Sequence, residues 1–174
     1  MGYYGFQWRA YVSVAERRRL ADKELAALRK KGHTPRPVRI EGRTIATSAW
    51  GGAWCEHLES FSDYENRLPR GRTYARNGSV IDLQIAAGKV SALVMGSELY
   101  RIAVTIRTLP KANWKALVDD TSGRIDSVIG LLRGRIDAAV MARMCDRQRG
   151  LFPSPREIEM DCSCPDYAGM CKHI

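Results

Sequence analysis

The chemistry-bearing residues crowd into "DCSCPDYAGMCKHI", at residues 161–174. Cys162-x-Cys164, six further residues, then Cys171-x-His173 put four soft or borderline donors within twelve residues. Three thiolates and an imidazole close a tetrahedral site, Cys₃His, of the kind that suits Zn²⁺. On an extended strand, residues two apart point to the same side, so Cys162 and Cys164 can face one metal. Pro165 stops that strand and Gly169 lets the loop turn back, bringing Cys171 and His173 as the second pair. A disulfide framework is disfavoured by the odd total of five cysteines. Four protein ligands leave no position open for a reacting water, so the expected role is structural. Cys55 and Cys145 fall inside helical patterns and read as plain buried residues.

Other catalytic candidates are thin. "CEH" offers Cys55, Glu56 and His57, and Asp63 and Glu65 follow shortly after. Residues one or two apart on a helix do not face each other, so Cys55 and His57 should not meet. No enzymatic activity is expected.

The elements that must hold the cluster are read from pattern. The chain of 174 residues carries a net charge of +9, spread unevenly: +7 over residues 1–47, −4 over 48–65, +8 over 66–149 and −2 over 150–174. Such a surplus suits a polyanion, because neutralising phosphates releases counterions. "SVAERRRLADKELAALRKKG" predicts a helix, with Ser13 and Glu16 as a capping box and Gly32 as the stop. Leu20, Leu25 and Leu28 form a narrow apolar stripe. The candidate phosphate contacts are Arg17, Arg18, Arg19, Lys23, Arg29, Lys30 and Lys31 on that helix, and Arg67, Arg70, Arg72 and Arg76 further on.

"HTPRPVRIEGRTIAT" predicts a rigid Pro-containing linker and a Glu41-Gly42 turn between two short strands. "SAWGGAWCEHLESF" predicts a helix with Trp50, Trp54, Leu58 and Phe61 on one core-facing side. Gly51 and Gly52 suggest a close approach there. From Arg72 to Leu109 the pattern predicts an antiparallel meander of about four strands with one face buried. Its Asn77-Gly78 reads as a hairpin turn. Helices return after Pro110, with Gly134 as a possible break, before "GLFPSPREIEMDC" leads through an extended segment into the cluster. The expected fold is α+β: an antiparallel β-meander packed with several helices over residues 1–150, followed by a small zinc finger over 151–174.

The C-x-C-x(n)-C-x-H pattern of "CSCPDYAGMCKHI" resembles the SWIM zinc finger in its bacterial form. "AWGGAWCEHLE", "NRLPRGRTYARNGSVIDLQI" and "GLFPSPREI" are similar to stretches of bacterial SWIM proteins, so the resemblance covers most of residues 48–174. It implies Zn²⁺ on Cys162, Cys164, Cys171 and His173, binding to DNA or to other proteins, and no catalytic residues. It also implies a partner, a helicase-like ATPase of the chromatin-remodeller type. SWIM fingers continue into a helix where this chain reaches Ile174, which implies a longer natural protein.

The expected function is a non-enzymatic module that binds nucleic acid (DNA first, RNA second), docks onto such an ATPase, or does both. The alternative is a pure protein–protein adaptor. No membrane span, secretory signal or small-molecule substrate is expected, and the chain reads as cytoplasmic.

Overall fold

The computed structural model describes residues 12–61, 67–122, 136–166 and 169–174. Among them lie five α-helices: α1 (Val14–Lys30), α2 (Ala49–Glu59), α3 (Leu68–Arg76), α4 (Lys111–Thr121) and α5 (Ala138–Met144). Four strands, β1 (Val80–Ala86), β2 (Lys89–Met95), β3 (Leu99–Ile106) and β4 (Ile158–Cys162), form one antiparallel sheet in the order β1-β2-β3-β4. The α+β class is as the pattern predicts. The possible break at Gly134, together with Asp63 and Glu65, lies outside the described residues. No described helix is long and apolar enough to cross a membrane.

α1 begins where Ser13 Oγ accepts the Glu16 N–H at 3.1 Å. Only that half of the predicted capping box forms, because the Glu16 carboxylate turns to Arg19 at 2.6 Å instead. At the other end Gly32, with φ +82°, donates to Arg29 O, and His33 donates to Leu28 O. Those two bonds satisfy the last carbonyls of the helix. Buried Ala21 and Leu25, flanked by Leu20 and Leu28, pack on Ile81, Leu93, Met95 and Leu99 of the sheet.

Asn77-Gly78 is not a hairpin. Gly78, with φ +69°, donates to Ala75 O and Ser79 donates to Tyr74 O, the same pair of bonds that closes α1. A positive φ serves a helix end as well as a two-residue turn, so the dipeptide alone could not separate them. The hairpin falls at Ala87-Gly88, where Gly88 has φ +67°. The predicted strands around Glu41-Gly42 are absent from the described residues, though Gly42 does take φ +77°. That segment runs beside β1 instead, with Val38 N donating to Val80 O and Leu83 N to Arg36 O.

The cross-strand register sorts the sheet into two faces. Val80, Val94 and Tyr100 align on one face, as do Ala92, Ile102 and Cys162, then Val90, Val104 and Met160. The opposite face carries Ser91, Ala103 and Asp161, then Lys89, Thr105 and Glu159. Its apolar cluster lies at Ile81, Leu93, Met95 and Leu99, where α1 packs. So the predicted single buried face gains a second, partial cover.

The fourth strand comes from near the C-terminal end. Three strands form between Val80 and Ile106, and β4 completes the sheet by pairing with β3 from Ile102↔Cys162 to Ile106↔Ile158. Residues 158–162, expected within the segment 151–174, thus join the sheet of the preceding segment. β4 hydrogen-bonds into the sheet, and Cys162, Cys164 and Ile174 pack against the buried cluster of Tyr74, Val94, Tyr100 and Ile102.

α2 and its neighbours build a second packing centre. Trp50 and Trp54 meet the Phe152 ring edge-on, at 4.7 and 5.0 Å between centroids. His57 lies 5.3 Å from Phe152 and 5.0 Å from Phe61. Trp50 stays 37% exposed, so the Trp side is a shallow packing surface rather than deep core. A Cβ at Gly51 would come within 3.2 Å of Ala46 Cβ, the close approach expected there, whereas Gly52 has open space.

Candidate metal centre

Cys162 closes β4 opposite Ile102. The strand is prolonged by one step, because Ser163 N donates to Arg101 O at 3.0 Å and Arg101 N donates to Ser163 Oγ at 2.9 Å. Those bonds keep the backbone extended, so Cys164 falls on the same side as Cys162 and both reach the buried cluster. The outgoing loop is tied down by an ion pair between Arg67 and Asp166, 2.9 Å long. The returning segment ends in a tight turn, with Ile174 N donating to Cys171 O at 3.2 Å. Inside that turn the His173 N–H points at Cys171 Sγ, 3.4 Å away.

The four expected ligand atoms converge. One donor atom from each of Cys162, Cys164, Cys171 and His173 lies within 4.8 Å of all the others. His173 Nδ1 is 3.9 Å from Cys162 Sγ and 3.7 Å from Cys171 Sγ. Around a tetrahedral zinc, with Zn–S near 2.3 Å and Zn–N near 2.0 Å, donor atoms sit roughly 3.5–3.8 Å apart. The donor set, its spacing and its burial fit a metal ion held by protein alone.

The electrostatics point the same way. Burial pushes the Cys162 thiol up to about 12 when no ion is present, so it holds its proton. Burial first, then Lys172 and Arg17, pushes the His173 ring down to about 4, so it is neutral and free to donate a lone pair. A divalent ion reverses the thiol preference, because coordination deprotonates the sulfur.

Aromatic rings hold the histidine. Tyr100 lies 4.4 Å from the His173 ring and Tyr74 meets it edge-on at 5.1 Å. Tyr100 is fixed in turn by a 2.7 Å bond between its hydroxyl and Ser97 Oγ. Gly96 makes room for the pair: a Cβ there would fall 2.6 Å from Tyr100 Cε2 and 3.0 Å from His173 Nε2. None of Tyr74, Gly96 or Tyr100 stands out in the sequence. They lie 73 to 99 residues before His173, and only packing brings them to it.

The expected phosphate contacts divide. Lys23, Arg29, Lys30, Lys31 and Arg70 are exposed and have no ion pair among the described residues. Arg18 is exposed but bonds to Asn77 through its O and Oδ1, and Arg19 pairs with Glu16. Arg67 pairs with Asp166, Arg72 with Glu59, and Arg76 donates to Arg43 O. Arg17 departs from the expectation outright. It is buried, with its guanidinium 4.5 Å above the Tyr74 ring, because the turn of α1 that carries it faces α3 rather than water.

His57 Nε2 meets Pro153 O at 3.0 Å, and no described contact joins it to Cys55. Cys55 and Cys145 are half-buried rather than fully buried, and all five cysteines are free.

The fold and site thus define an α+β sheet domain with a candidate metal centre built into the end of its sheet. No family model matches the chain. No solved structure matches it either. A relative from Mycobacterium tuberculosis (strain ATCC 25618 / H37Rv), "Uncharacterized protein Rv2102", is 39% identical over 149 residues. The alignment takes in 80% of this chain and 53% of the relative, so the chain spans about half the length of the curated relative it matches.

Proposed function

We propose that this chain is a non-enzymatic module in which Zn²⁺ on Cys162, Cys164, Cys171 and His173 locks the end of the sheet, and that its basic surface binds nucleic acid, duplex DNA foremost. The observation that carries the reading is the convergence of four donor atoms within 4.8 Å at a buried sheet end. Zinc is favoured over harder cations because three of the four donors are thiols. The resemblance to SWIM fingers supports the same donor set.

Nucleic-acid binding is supported by the net charge of +9 and by five exposed cations, Lys23, Arg29, Lys30, Lys31 and Arg70. Arg29 and Lys30 also complement the negative end of the α1 dipole, so salt dependence is the measurement that separates the two roles. Each phosphate neutralised contributes a slope near −0.9 in log K against log salt for duplex DNA, so five contacts give about −4.5. Replacing Lys23, Arg29, Lys30 and Lys31 by Gln flattens that slope and weakens binding on all sequences alike. Absence of salt-dependent binding to DNA or RNA at low ionic strength sinks this half of the reading. Native mass spectrometry tests the other half: one zinc per chain is expected, and a Cys162–Cys171 or Cys164–Cys171 disulfide in its place overturns it.

A second reading, docking onto a helicase-like ATPase, has its own support in α4. Trp114 and Val118, four residues apart on that helix, are 54% and 42% exposed. A pull-down with and without nuclease separates the two: a partner retained after nuclease treatment binds the protein itself.

A further inference from the structure

Arg17 is unusual among the cations of α1. Its neighbours Arg18 and Arg19 are exposed, whereas Arg17 is 8% exposed. No carboxylate pairs with it among the described residues, and its Nε–H finds no acceptor. A buried cation without an anion is costly, and stacking on a ring recovers only part of that cost.

The ring it stacks on leads to the metal centre. Arg17 lies 4.5 Å above Tyr74, and Tyr74 packs edge-on against His173 at 5.1 Å. The two contacts run in series from α1, through α3, to a metal ligand.

A loaded centre supplies the missing anion. Each of the three thiols gives up its proton on binding, and the neutral imidazole gives up none. A divalent ion with three thiolates therefore leaves one net negative charge, which a single guanidinium balances. Of the other charges facing the site, Lys172 is only half-buried and so partly solvated, and Asp166 is paired with Arg67.

We propose that Arg17 is the counter-charge of the metal centre, a positioning residue that reaches it across Tyr74 and ties the placement of α1 to metal occupancy. The proposal rests on the zinc reading above. It also removes Arg17 from the phosphate-binding surface, since its charge is spent inside the fold.

The test uses the full chain, with zinc affinity read by competition against a chelator of known strength and coordination read from the absorption of the Co²⁺ form. Arg17→Met keeps the bulk and loses the charge. It is expected to weaken zinc binding by about 10-fold, the low end of the effect of removing a partner bonded directly to a ligand, because Tyr74 stands between Arg17 and His173. Arg17→Lys restores the charge and is expected to recover most of the affinity, which a purely steric role would not do. Lys172→Gln is expected to change it little. If Arg17→Met does not fold, the wild-type chain still decides: the Arg17 Nε–H resonance should move on zinc addition while those of Arg18 and Arg19 stay. Unchanged affinity in Arg17→Met, or an Arg17 resonance indifferent to zinc, overturns the proposal. A wild-type chain that binds neither zinc nor cobalt overturns the metal reading itself, a result distinct from either of those.

Discussion

His57 and His173 are both buried, at 3% and 7% exposed, and each leaves one ring nitrogen without a partner. Both sit among aromatic rings: Trp54, Phe61 and Phe152 around one, Tyr74 and Tyr100 around the other. They differ in what the partnered nitrogen meets. His57 Nε2 meets a single carbonyl, Pro153 O, whereas His173 Nδ1 faces two thiols, with a third close by. Burial and aromatic packing are therefore shared, and convergence of donors is what separates a clamp from a candidate metal site. His57 holds the Phe152–Pro153 stretch, just ahead of β4, against α2. His173 closes the far end of the same strand.

The largest expected difference between the two regions comes from removing the zinc proposed for the His173 region. Structural zinc is worth on the order of 10 kcal/mol in finger peptides. Here the ligands sit on β4 and against the sheet core, so the loss should register in the main transition, not in a separate tail. Even about 5 kcal/mol would lower the melting temperature by roughly 10–20 °C in a chain of this size. Chelation and Cys171→Ser should give that drop, read by circular dichroism. An unchanged main transition would mean that the sheet stands without its closed end.

Next in size is His57→Ala, which empties a packed ring site and strands Pro153 O. A cost of about 2–4 kcal/mol is expected, with zinc stoichiometry unchanged. Loss of zinc in this variant would break the distinction between the two histidines.

Gly96→Ala probes the His173 side alone. The new methyl must displace Tyr100 or His173, at an expected cost of about 1–3 kcal/mol, together with weaker zinc binding. Gly52→Ala, on the His57 helix, meets open space and should leave zinc affinity where it is.

The smallest effect is on pH dependence in the metal-free chain. The folded His173 ring sits at about 4, below its unfolded value of 6.5. Its contribution to stability is therefore full above about pH 6.5 and is lost as pH falls from there to about 4. Denaturant midpoints at pH 7 and pH 5 should differ more in wild type than in His173→Phe. Equal differences would show that His173 does not carry this share of the acid sensitivity.

The part of the site legible in sequence was the part encoded locally. Cys162 and Cys164 fall on one side because alternate residues of an extended chain do so, and the turn back through Gly169 needs only the residues within it. The start of α1 at Ser13, its end at Gly32 and the strand alternation around Ile102 and Val104 are local in the same way. Each follows from hydrogen bonds and side-chain directions that span a few residues.

What the sequence left open depended on distant partners. Asn77-Gly78 supplies a positive φ wherever it stands, and only the helix ending at Arg76 made it a cap instead of a hairpin. β4 could have stood in a separate finger, but the free edge of β3 gave its backbone groups partners. Arg17 looks like its exposed neighbours Arg18 and Arg19 until α1 is laid against Tyr74. The sequence by itself determined which four residues could bind a metal. The tertiary structure decided that these four converge against the sheet core, because Tyr74, Gly96 and Tyr100 reach His173 only once the strands have paired.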